Sequence, residues 1–139
     1  MALLEKHLIV RRSGLPNAGK GLFTRTSIAK GSLVVEYKGK VTTWKEIESS
    51  KKFNGYVFYI NRNLVIDAQS SEKWLGRYAN DAKGLNKIKS KQNNCCYAII
   101  DKRVFIKATK NIEAGEELFV GYGKEYWDVV RYNKRLKHK

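Results

Sequence analysis

Short apolar runs separated by turn formers are the strongest constraint in this sequence. Leu8-Ile9-Val10, Leu22-Phe23-Thr24, Leu33 to Tyr37, Tyr56 to Ile60, Leu64 to Asp67, Cys95 to Asp101, Val104 to Ala108 and Leu118-Phe119-Val120 each read as a strand. Turn chemistry stands between them: Ser13 to Gly21, Ile28 to Gly31, Lys38-Gly39-Lys40, Asn61-Arg62-Asn63 and Glu113-Ala114-Gly115. Two hairpins are predicted, one joining 56–60 to 64–67, the other joining 95–101 to 104–108 across Lys102-Arg103. Helix is scarce. Thr43 to Lys52 has capping-box spacing at Thr43 and Glu46, with Gly55 to help stop it. Ser71 can cap a turn from Glu72 to Leu75, and Lys124 to Leu136 is amphipathic, with Tyr126, Trp127 and Val130 inward. No alternation of strand and helix runs through the chain, which argues against a doubly wound sheet. The fold class is mainly β with short helices.

At 139 residues the chain reads as a single domain, without repeats or a linker, large enough to bury a core unaided. Cys95 and Cys96 are neighbours in a strand, so they point to opposite faces and do not readily share a metal or a disulfide. With no other cysteine a tetrahedral zinc site is not expected, and the reading is buried thiols in a reducing, intracellular compartment. Glu5, Lys6 and His7 interrupt the apolar N-terminus, which is not expected to act as a signal peptide, and no membrane span is predicted. The net charge of +15 is either a solvated lysine-rich surface or a sign of a polyanionic partner. Nucleic acid would meet the basic loop, Lys83 to Lys91, or the tail, Arg131 to Lys139, though neither carries a row of stacking aromatics.

The C-terminal turn draws attention next. Leu118-Phe119-Val120 runs into Gly121-Tyr122-Gly123, a tyrosine with an unusually free backbone around it. Alone it reads as a hairpin end with an aromatic plug. Gly19-Lys20-Gly21 likewise reads alone as a turn, lacking the third glycine and following helix of a dinucleotide site.

Four segments in order change that reading: Gly19-Lys20-Gly21-Leu22-Phe23, Val35-Glu36-Tyr37-Lys38-Gly39, Arg77-Tyr78-Ala79-Asn80, and Gly115 to Gly123. Tyr56-Val57-Phe58 and Ile66-Asp67-Ala68 fit between them. Together they resemble the SET domain of protein-lysine methyltransferases, over about residues 9–127 of a domain spanning 1–139, with 128–139 as a basic helix or tail. The cysteine-rich zinc segments that flank many SET domains are not seen, so the minimal stand-alone form is expected. The resemblance implies small curved β-sheets and a C-terminal pseudoknot. It implies S-adenosylmethionine in one pocket, a lysine entering from the opposite face, and a narrow channel between them.

The resemblance also implies roles. Tyr122 matches the active-site tyrosine, Tyr37, Phe58 and Val120 the lysine channel. Gly19, Lys20, Gly21 and Leu22 match the loop that receives the cofactor's methionine end, and Tyr56, Arg77, Asn80 and Asp81 further cofactor contacts. Trp127 is a candidate to cover the adenine. Core packing is the competing account of Tyr37, Tyr56 and Phe58; a surface charge of Arg77, a self-satisfied turn of Asn80, and helix packing of Trp127. Methyl transfer to an amine is an in-line displacement that needs alignment and a neutral nitrogen. An ordinary lysine titrates near ~10.4, and an apolar channel lowers that value. An ordinary phenol titrates near ~10, so the tyrosine's first role is to orient and stabilise.

Four positions depart from the family's pattern. Asp81 replaces the histidine after the motif asparagine, Gly121 an acidic residue, Val120 a Phe or Tyr that tunes methyl number, and Asn93-Asn94 a Pro-Asn pair. The expected activity is methyl transfer from S-adenosylmethionine to a lysine of a histone or other protein, in the cytoplasm or, on chromatin, the nucleus. The alternatives are a non-catalytic SET-like module binding nucleic acid or acidic proteins, and a methyltransferase acting on something other than lysine. A basic enzyme repels basic tails unless its channel face is acidic; Glu36, Asp81, Glu116 and Glu117 are the candidates for that face.

Overall fold

The computed structural model describes residues 3–16, 18–49, 56–61, 63–69, 74–82 and 91–122. Nine strands form three antiparallel three-stranded sheets among these residues. The first sheet has β1 (Leu8–Arg12), β2 (Lys20–Thr24) and β9 (Glu117–Leu118) in spatial order. The second runs β3 (Leu33–Glu36), β8 (Arg103–Ala108), β7 (Cys95–Ile100). The third runs β4 (Lys40–Thr42), β6 (Leu64–Asp67), β5 (Val57–Asn61). The mainly β class follows: among the described residues the strands are accompanied by one short helix, α1 (Trp44–Ser49), and two single 3-10 turns, Glu5–His7 and Leu75–Tyr78. No helix among the described residues is long and apolar enough to cross a membrane.

The predicted hairpins form, with differences at their edges. β7 and β8 turn at Asp101-Lys102, one residue earlier than expected, both with positive φ, 49° and 65°. That backbone matches the twist of a two-residue hairpin. The predicted turn Lys38-Gly39-Lys40 ends one residue early: Lys40 joins Val41 and Thr42 in β4, pairing with Asp67, Ile66 and Val65. Gly39 makes that pairing possible, because a Cβ there would stand 2.4 Å from the Asp67 carbonyl oxygen. Glu46 supplies its N–H to Thr43 Oγ1 at 3.4 Å, as a cap would, but its carboxylate accepts from Thr42 Oγ1 at 2.5 Å instead of reaching back to the Thr43 amide. Val104, Ile106 and Ala108 are buried while Arg103 and Lys107 are exposed, the alternation of a strand with one covered face, although Phe105 is buried too. β8 is the central strand of its sheet.

Two apolar clusters form most of the interior among the described residues, beside a third of only Leu15, Ala82 and Phe119. The larger packs Leu8, Leu22, Ile28, Val34 and Val35 against Ile106, Ile112, Leu118 and Val120, between the first and second sheets. The smaller gathers Tyr37, Ile66, Ala68 and Val104 against the third sheet. Tyr97 packs on both, so the seam between the clusters runs beneath it.

The C-terminal segment lies between two earlier stretches of chain. Asn80 bridges Phe119 and Cys95 bridges Val120, both in parallel fashion. This is the arrangement expected of a pseudoknot crossing, seen as far as Tyr122. The proposed helix 124–136, Trp127, the basic tail, residues 83–90 of the basic loop, Ser71, Glu72 and Gly55 lie outside the described residues.

Candidate active site

Backbone bonds on both sides deliver Tyr122 to its place. Val120 N–H donates to Asn80 O at 2.8 Å, while Asn94 and Cys95 N–H groups donate to Phe119 O at 3.0 and 2.9 Å. Asn94 adds side-chain bonds, accepting the Phe119 N–H at 2.9 Å and donating to Glu117 O at 3.0 Å. The Tyr122 hydroxyl then donates to Ala79 O at 2.5 Å, and its N–H to Asp81 Oδ2 at 2.9 Å. A phenol whose proton is held by a carbonyl turns its lone pairs elsewhere, and those pairs can only accept.

The ring of Tyr122 borders a cavity of about 40 Å³. One water needs about 10–15 Å³ on this scale, so the space holds a few waters or a small polar head. Aromatic rings make most of the wall. Tyr37 and Phe58 have centroids 6.0 Å apart, and Tyr97 meets Tyr37 edge-on at 5.8 Å and Phe58 at 4.8 Å. Tyr97 also stacks beside Tyr122, at 6.4 Å and 26°. Tyr56 and Arg77 complete one side. The Tyr37 hydroxyl donates to Tyr56 O at 2.7 Å, which fixes both segments. Arg77 is not the loose surface charge of the bland account: its Nη1 donates to Ala68 O and Gln69 O at 3.0 and 2.9 Å, and its guanidinium lies 4.1 Å over the Tyr56 ring.

So the structure brings Tyr122, Tyr37, Phe58, Tyr56 and Arg77 to one cavity. Val120, expected in the channel, is elsewhere: it is fully buried in the larger cluster and does not line the cavity. Tyr97 occupies the wall instead. Its signal was in the strand period, since Tyr97 follows buried Cys95 by two residues and therefore shares its face.

The remaining cofactor candidates gather around the start of β2. Asn80 Nδ2 donates to Lys20 O at 3.0 Å, placing the 75–80 segment beside Gly19 and Lys20. Gly19, at φ 71°, and Lys20 are exposed. Gly21 and Leu22 are ladder residues: Leu22 is fully buried, and a Cβ on Gly21 would stand 2.2 Å from Glu117 Oε2. The close approach at Gly21 is therefore to a carboxylate of the protein itself. Glu117 is buried, accepting from Ser13 Oγ at 2.6 Å and Gly14 N–H at 2.8 Å.

No acidic face forms from the four carboxylates considered. Glu36 pairs with Arg103, whose bond holds its carboxyl below the ordinary range against the opposing effect of burial. Asp81 and Glu117 are buried on internal donors; Glu116 is exposed. Burial, with a smaller push from Cys96, raises the Cys95 thiol to about 12, so it is a neutral core side chain and no nucleophile.

The SET domain family model matches residues 19–123, which carry every residue of the cavity. The chain belongs to the SET-domain family. Relatives agree at modest identity. The chain is similar to an N-lysine methyltransferase KMT5A-A from Danio rerio, 30% identical over 97% of this chain and 40% of that protein. It is similar to the histone-lysine N-methyltransferase EZ1 of Zea mays, 30% identical over 87% of this chain and 13% of the other. It is also similar to the histone-lysine N-methyltransferase set-1 of Caenorhabditis elegans, 26% identical over 85% of this chain and 52% of the other. This SET domain thus spans about half or less of each of these relatives.

Proposed function

We propose that this SET domain transfers a methyl group from S-adenosylmethionine to the side-chain amine of a lysine in a protein, a histone or another. One observation carries the reading: an acceptor-only phenol oxygen, Tyr122, beside a cavity walled by Tyr37, Phe58 and Tyr97. Relatives named as lysine methyltransferases support it.

The residues present suit the methyl donor. Its methionine end carries an ammonium and a carboxylate, and Lys20 brings a cation to the same edge as the Asn80 amide. Bound there, S-adenosylmethionine supplies a methyl carbon activated on a sulfonium. The chain's own groups do the rest. The ring faces of Tyr37, Phe58 and Tyr97 take the place of part of an entering amine's water, so the ammonium is partly desolvated and loses its proton more readily. Tyr122 Oη accepts a hydrogen bond from the amine and aims the nitrogen lone pair. The ring faces attract a methylated cation, each good contact contributing about 0.5–2 kcal/mol.

The test is direct. Purified protein, S-adenosylmethionine and a panel of proteins and lysine peptides with acidic and basic flanks are followed by mass spectrometry, with calorimetry for the methyl donor. A gain of one methyl mass on lysine supports the reading. No transfer to any member, together with no donor binding, overturns it.

A further inference from the structure

Outside the ring wall, the polar groups nearest Tyr122 form a second constellation. Asp81 is 6% exposed and points both its oxygens at donors. Oδ2 accepts the Tyr122 N–H at 2.9 Å, and Oδ1 accepts Asn93 Nδ2 at 3.0 Å. Asn93 Oδ1 in turn accepts the Ala82 N–H at 2.8 Å. The amide lies beside Gly121, where a Cβ would meet Asn93 Nδ2 at 3.5 Å, an ordinary contact. Both ends of Tyr122 are thus tied to one stretch, the hydroxyl to Ala79 and the N–H to Asp81.

We infer that Asp81 and Asn93 form a positioning pair that holds Tyr122 Oη at the cavity, a conclusion that rests on the methyl-transfer reading for its kinetic consequence. The polarity of the pair has one solution. A carboxylate can accept on both oxygens, and an amide can donate on one side and accept on the other. Replacing the carboxylate of Asp81 by an amide breaks that solution. One of its ends then meets a donor with a donor, at Tyr122 N–H or at Asn93. Rotating the Asn93 amide only moves the conflict to Ala82 N–H. Replacing Asn93 by aspartate instead sets two carboxylates against each other. Exchanging the two residues restores these three bonds. The new amide at 81 accepts from Tyr122 N–H and donates to the new carboxylate at 93, which accepts from Ala82 N–H. Net charge is unchanged.

Four proteins test this: the native chain, Asp81→Asn, Asn93→Asp, and the double exchange. The readouts are kcat and KM for an accepted lysine substrate at saturating methyl donor, per folded molecule, with hydrogen exchange at the Tyr122 amide. Each single change is expected to lower kcat about tenfold while KM moves less than about threefold, and to speed amide exchange. The double exchange is expected to recover kcat to within about threefold. Unchanged kcat per folded molecule in both singles, or a double exchange as slow as the two losses multiplied, overturns the inference. If the native chain transfers no methyl group, the functional reading fails on its own. The pair is then judged by exchange: protection lost in the singles and regained in the double supports it, and equal protection in all four overturns it.

Discussion

Two parts of this molecule draw together residues far apart in the chain, and they do so with opposite chemistry. Around Glu117, the carboxylate takes Ser13 Oγ and Gly14 N–H, 104 and 103 residues away. It fills the space above Gly21. Around Tyr122, aromatic rings from β5, β7 and the end of β3 leave a small cavity between them. The first site is polar and closed on itself; the second is apolar and concave. A buried carboxylate packed between the protein's own donors holds architecture together. A ring of aromatic faces around a space of about 40 Å³ has surface left for another molecule.

If this division of labour holds, the largest effect comes from removing one oxygen. Tyr122→Phe is expected to lower kcat about a hundredfold or more, the scale of losing one preorganised hydrogen-bonding group at a reacting centre. Its melting temperature should stay within a few degrees of the native value, since the ring packing remains. Steady-state methyl transfer and a thermal melt check both. A variant that melts far lower and loses activity only in proportion would place Tyr122 with the scaffold.

The opposite pattern is expected at Gly21→Ala. The added methyl would stand 2.2 Å from Glu117 Oε2 and 3.2 Å from Ser13 Cβ. Glu117 cannot withdraw without giving up Ser13 and Gly14, so the cost is about 3 kcal/mol. Denaturant unfolding measures it, and activity per folded molecule should be little changed. A loss of methyl-donor affinity larger than the loss of stability would return Gly21 to the binding site that the sequence resemblance suggested.

Much of this contrast was legible in sequence, and the missing parts share a cause. Local signals sufficed for the β5–β6 hairpin, where Asn61 and Asn63 punctuate alternating apolar runs. They sufficed for β7 and β8, and ordered motifs sufficed to place Tyr122, Tyr37 and Phe58 at one site. Period-two alternation also held enough to put Tyr97 on the face of Cys95, but nothing local says that this face looks onto Tyr122. The family resemblance places Val120 in the channel. Its direction is instead set by the Asn80 and Cys95 bridges that grip the segment from both sides. Glu117 with Ser13, and Asp81 with Asn93, are pairs made by threading, and no propensity reports a contact between segments that meet only in the folded chain. The turn at Asp101-Lys102 was missed for a different reason: two non-glycine residues at positive φ run against the local preference, and the hairpin register imposes them.

Phe58→Leu sharpens the cavity side. Leucine keeps apolar volume but removes a π face that lies 4.8 Å from Tyr97 and 6.0 Å from Tyr37. Affinity for a trimethyl-lysine peptide should fall by about 0.5–2 kcal/mol, while that for an isosteric neutral analogue barely moves. Equal losses for both ligands would mean the ring acts as packing alone, and the cavity would have to be counted with the scaffold.

The smallest effect lies where scaffold and cavity adjoin. Glu36 immediately precedes Tyr37, and Arg103 donates to it through Nε at 3.1 Å and through Nη2. Arg103 is 59% exposed and Glu36 13%, so the pair is screened by solvent and contributes little to stability. The Arg103 hydrogen bond holds the Glu36 carboxyl below its ordinary value of 4.5, against desolvation. Because the folded state favours the ionised form, the contribution is present above about 4.5, where the unfolded carboxyl is also ionised, and is lost as pH falls through the lower folded value. Unfolding free energies of the native chain and Glu36→Gln should therefore differ slightly at pH 7, the native chain being the more stable, and converge in acid. Added salt should narrow the gap at pH 7. Methyl transfer should be unchanged in Glu36→Gln, since Tyr37 is held by its own bond to Tyr56 O. A fall in kcat/KM that exceeds the stability change would show that the ion pair steers Tyr37, and the line between architecture and reactive cavity would then run through β3 instead of after it.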